Sequence, residues 1–170
     1  MKIRFMIPLA IVLLYCSAAL QAQPKPEHLF YYINTEQCYV SFVKNVDRIS
    51  LVAPQGFSVD EDGIVWGSVD GRLLDLAAAH KIGVMPLIVN PGFDQSMLHR
   101  LLVNAQARAR CIGSLVELCT RYKLAGIQFD FENLNMNDRD AFTRFYQETA
   151  DALHNNGFKL SVAVVHRYED

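Results

Sequence analysis

The segment Gly126-Ile127-Gln128-Phe129-Asp130-Phe131-Glu132-Asn133 limits the possible folds more than any other part of this 170-residue chain. Side chains alternate faces along a strand, so Gln128, Asp130 and Glu132 share one face, and Ile127, Phe129 and Phe131 share the other. A central strand of an open doubly wound sheet is covered on both faces and is apolar on both. A barrel strand instead packs its outer face against helices and can carry polar groups inward, toward the mouth at its C-terminal end. Two carboxylates ~7 Å apart along such a strand suit general acid–base chemistry.

The rest of the chain supplies the matching alternation. Strand-like runs fall at Leu29–Ile33, Ile49–Pro54, Val84–Val89, Gly126–Glu132 and Lys159–Val165. Helices are predicted between them: over 36–46, around Leu73–His80 and closed by Gly83, from Leu98 to Tyr122 as one amphipathic element, and from a cap at Asn137 or Asp138 to Gly157. Within 57–67, Asp60-Glu61-Asp62-Gly63 marks the turn of an inserted hairpin. Regular βα alternation implies a parallel sheet. The reading is therefore α/β, a (β/α)8 barrel of which this chain carries roughly strands 1–5. A complete barrel usually takes ~250 residues, and the expectation is a partial domain of a longer protein.

Residues 1–22 read as a cleaved secretory signal: Lys2 and Arg4 precede an apolar run from Met6 through Leu14, then small residues including Ala19 and Ala22. The domain proper is then 23–170, and a secreted or periplasmic, bacterial protein is expected. Losing two basic residues and no acidic one takes the formal net charge from −2 to −4. With no basic cluster, neither nucleic acid nor an anionic membrane is an expected partner. Cys38, Cys111 and Cys119 remain, an odd number that favours buried thiols over a disulfide framework.

Ala125 through Glu132 resembles the strand-four signature Asp-Gly-x-Asp-x-Asp-x-Glu of the family-18 glycoside hydrolases, the chitinase-like barrels. The ending Asp-Phe-Glu-Asn, together with Val52-Ala53-Pro54, the stretch Ser58–Gly63 and Val84-Met85-Pro86-Leu87, is most similar to their spore-wall N-acetylglucosaminidase branch. Gln128 and Ala125 stand where many members have aspartates, and an amide at the Gln128 position is usual in that branch. The resemblance implies that Glu132 is the catalytic acid/base and that Asp130 holds the substrate's acetamido group, whose own oxygen attacks the anomeric carbon. Family 18 is an exception to the two-carboxylate retaining scheme in this respect. It further implies N-acetylated polysaccharide (peptidoglycan or chitin oligosaccharide) as partner, with no cofactor and no metal. A glycan-binding barrel without catalysis, or an inactive fragment, is the second reading.

Candidate sugar contacts at the mouth are Gln128, Asn90 and Asn133 on strand ends and loops, with turn chemistry at Asn90-Pro91-Gly92 as the alternative for Asn90. Tyr31 or Tyr32 is a candidate inward-facing stacking ring, Tyr32 being the choice, and His166 follows strand five. Trp66, on the hairpin, is a further aromatic platform, and packing beneath the loop is its alternative.

Overall fold

Four of the five helices begin where a short polar side chain accepts a hydrogen bond from a free backbone N–H. Residues 27–164 are described by a computed structural model. The Thr35 hydroxyl accepts from Cys38 N–H ahead of α1 (Glu36–Asn45), and Asp70 accepts from Arg72 N–H ahead of α2 (Gly71–Ala79). Asp94 does the same for α3 (Gln95–Val103), and Asn104 for α4 (Ala105–Tyr122).

The single helix expected from Leu98 to Tyr122 is therefore two. Asn104 sits at φ −91°, ψ 107°, outside the helical region, and its Oδ1 accepts from the amides of Gln106 and Ala107. The apolar periodicity runs straight through this corner and hides it. A fifth helix, α5, spans Arg139–Asn155. His80, not Gly83, caps α2, and Lys81 takes the left-handed turn after it with φ 58°.

Strands β1 (Leu29–Tyr32), β2 (Leu51–Val59), β5 (Leu87–Val89), β6 (Gly126–Asp130) and β7 (Lys159–Val162) pair in that order, and every pair is parallel. The third strand expected from the sequence is interrupted. A short β4 (Gly83–Val84) pairs with the start of β2. Pro86, with no N–H to give, separates it from β5. The expected hairpin is present, with β2 itself as its first arm and an antiparallel β3 (Val65–Gly67) as its second.

Strictly sequential order separates a barrel wall from a doubly wound sheet, in which the order reverses. With right-handed crossovers, sequential order leaves all the helices on one side. Phe42 of α1, Leu73 and Ala77 of α2, Leu101 of α3, Cys111, Leu115 and Cys119 of α4, and Phe145 and Leu153 of α5 are all buried there, with Val52, Ile88, Ile127 and Phe129 from the strands. This is the wall formed by the first five strands of a (β/α)8 barrel.

Gly126 makes one close approach possible. A Cβ there would lie 2.0 Å from the Lys159 carbonyl, so only glycine lets β7 pair at this point.

Candidate active site

Parallel register carries the alternation of β6 across the whole wall. One inward row is Gln55, Leu87, Gln128 and Ser161; the next, nearer the mouth, is Ser58, Val89 and Asp130. The opposite face of β6 is apolar and aromatic. Phe129 stacks on Phe145 at 5.2 Å and on Phe131 at 4.7 Å, and Phe131 meets the edge of Phe142 at 6.3 Å. Phe131 is thereby held outward, and the next residue, Glu132, falls on the Asp130 side. Asp130 and Glu132 are both half-buried. Among the described residues, no side chain donates a hydrogen bond to either carboxylate. A cleft of about 490 Å³ opens beside Glu132, walled by Phe142, Val162 and Ala163.

Gln128 lies one step below, 6% exposed. Its Nε2 donates to Ser161 Oγ at 2.9 Å, whereas its Oε1 is buried with no partner among the described residues. Ser161 was not among the expected site residues. Its place at an inward position of the fifth strand, level with Gln128, was the available signal.

Asn90 does not face a ligand, contrary to expectation. It is 1% exposed, with its Nδ2 donating to Glu132 C=O and its Oδ1 accepting from Glu132 N–H, both at 2.9 Å. A side chain this buried, with both polar atoms turned to the Glu132 backbone, is not presented to a sugar.

Asn133 takes a left-handed φ of 57°, a conformation asparagine tolerates. Its Nδ2 donates to Phe93 C=O at 3.1 Å, and its own carbonyl accepts from Gln95 Nε2 at 3.0 Å. Asn135 Nδ2 in turn donates to Gln95 Oε1 at 3.3 Å. The loops following β5 and β6 are thus joined by amide side chains, and Gln95 and Asn135 join the expected Asn90 and Asn133 in that role.

Tyr32 also needs correction as a sugar-stacking ring. It pairs in register with Pro54 on the helix-facing side, is 4% exposed, and meets Phe42 edge-on at 6.2 Å. Burial, with the Asp70 carboxylate adding, pushes its phenol above the usual range. The tyrosine on the inward face is Tyr31, level with Ala53 and exposed. Trp66 pairs with Ser58 and therefore shares the inward face, half-exposed, three strands away from Asp130 along one row. His166 and the expected signal at 1–22 lie outside the described residues.

A sequential parallel wall with an acid pair at its mouth has the arrangement of the first strands of a (β/α)8 barrel. The particular relatives bear this out. The chain is 28% identical over 131 residues to the uncharacterized glycosylase YvbX of Bacillus subtilis, a match covering 74% of the chain and 38% of the relative. It is 33% identical over 111 residues to the cortical fragment-lytic enzyme of the same organism, covering 64% of the chain and 26% of the relative. Among solved structures, the chitinase of Chromobacterium violaceum superposes with a TM-score of 0.71 at 25% identity, over 79% of this chain and 44% of that one. The chain thus spans less than half the length of each of these relatives. No family model matches it. The likenesses are consistent with the family-18 resemblance of the strand signature.

Proposed function

We propose that this chain belongs to a secreted glycoside hydrolase that cleaves N-acetylglucosamine-containing glycans with retention of configuration. The observation that carries the reading is the placement of Asp130 and Glu132. They lie at the open end of a parallel wall, Asp130 at an inward register position and Glu132 two residues further on, while Phe129 before them and Phe131 between them are packed on the outward side.

Glu132 protonates the leaving glycosidic oxygen and then removes a proton from the incoming water. Asp130 accepts a hydrogen bond from the 2-acetamido N–H, which turns the acetamido oxygen toward the anomeric carbon and offsets the positive charge that develops on it. Such a mechanism needs a 2-acetamido sugar at the cleavage point. That requirement fits peptidoglycan and chitin alike. The name of the cortical fragment-lytic relative favours peptidoglycan, and the chitinase likeness keeps chitin oligosaccharides as the second substrate. The signal-like pattern of residues 1–22 supports secretion, which suits a polymer found outside the cell.

The test is hydrolysis of purified peptidoglycan and of N-acetylchitooligosaccharides by the full chain and its Glu132→Gln variant. Loss of about 10²–10⁴-fold in kcat with substrate binding retained is expected, the contribution of a positioned proton donor. Turnover in Glu132→Gln equal to that of the parent would remove Glu132 from the acid role.

A further inference from the structure

We infer that Asn90 is the positioning residue for Glu132: a side-chain amide that extends the sheet by one rung so that the acid is held by its own backbone. The inference deepens the proposed function and rests on Glu132 being the acid.

The β5–β6 ladder ends at the pair Val89 and Asp130. Beyond it, Glu132 has a backbone N–H and C=O with no strand opposite them. A primary amide presents one acceptor and one donor side by side, as the C=O and N–H of a single extended residue do along one edge of a strand. Asn90 places this pair against Glu132 at 2.9 Å on both sides of the ring. Because Asn90 is 1% exposed, water does not compete for either bond. The next peptide is fixed as well, since Gln95 donates to Asn133 C=O and Asn133 reaches back to Phe93 C=O. The main chain on both sides of the Glu132 Cα is therefore tied to the loop after β5, through contacts 38 to 42 residues away in sequence. Without these ties the acid would project from a frayed strand end. A misplacement of about 1 Å at a reacting group costs on the order of 10²-fold in rate.

The experiment compares the full chain with Asn90→Ala, Asn90→Asp and Glu132→Gln, using an umbelliferyl diacetylchitobioside as probe. Rates are normalised to folded protein, and hydrogen exchange is followed at the Glu132 amide. Asn90→Ala is expected to lower kcat roughly 10- to 100-fold while KM stays within about threefold. Exchange at Glu132 should accelerate at least tenfold while the Phe129 amide is unchanged. Asn90→Asp keeps size and acceptor but cannot donate to Glu132 C=O, and should show the same kcat loss. A merely structural role would lower the melting temperature and leave kcat per folded molecule unchanged.

An inactive Glu132→Gln beside an Asn90→Ala variant with parental kcat overturns the positioning role alone. A fully active Glu132→Gln overturns the proposed function instead. The exchange measurement needs no turnover: parental protection of Glu132 in Asn90→Ala overturns the inference on its own.

Discussion

The two faces of β6 are built to different standards of completeness. On the outward face Phe129 and Phe131 are enclosed by Phe142, Phe145 and Tyr146. On the inward face, among the described residues, one amide oxygen of Gln128 is buried without a partner, and no side chain donates to Asp130 or Glu132. The difference shows where stability and chemistry are divided along a single strand. The aromatic face fixes where β6 lies, and that rigidity lets the other face keep groups free for a ligand.

Removing a ring from the closed face should produce the largest effect. Phe129 is fully buried, so Phe129→Ala is expected to cost ~3–5 kcal/mol, read as a lower urea midpoint. A loss under about 1 kcal/mol would mean the closed face is not what holds the strand.

A smaller effect probes the same side by pH. Cys111 and Cys119 lie on α4 against the wall, and burial pushes both thiols from an ordinary value near 9.0 up to about 12, with Asp60 adding at Cys111. In the unfolded chain they ionise near pH 9, whereas in the folded chain they stay protonated until about pH 12. The folded state therefore holds more protons in that window, and stability should fall as pH rises from 9 toward 12. By pH 10 the loss is about 1 kcal/mol per thiol, and a Cys111→Ala, Cys119→Ala variant should show less of it. Rapid labelling of either thiol at pH 8 would contradict the closure of this side.

The smallest change concerns the open face. Replacing Gln128 by Leu and Ser161 by Ala together removes a polar pair and its orphaned oxygen, and stability should move by less than ~1 kcal/mol. If the double variant were several kcal/mol less stable, the inward amide would be structural and the contrast between the faces would weaken.

Much of this was legible in advance. The alternation of five strands with helices, the hairpin turn at Asp60–Gly63 and the two faces of the Gly126–Glu132 strand all follow from local pattern. The corner at Asn104 escaped because Leu101, Leu102, Ala105 and Ala109 keep their helical phase across it; only the cap geometry of the asparagine betrays the break. Asn90 was misread for another reason. Asparagine before Pro-Gly is ordinary turn chemistry, and nothing nearby in sequence reveals a partner 42 residues downstream. Tyr31 and Tyr32 are adjacent, and a one-residue ambiguity in strand phase exchanges the two faces.

The sequential pairing order carries a consequence for biosynthesis. Each βα unit binds the edge left by the unit before it and needs no segment from later in the chain. The wall can therefore assemble in the order in which the ribosome delivers it, each new strand meeting a template already in place. A doubly wound sheet lacks this property, because its first strand waits for partners on both sides. In this protein the direction of translation and the direction of sheet growth coincide.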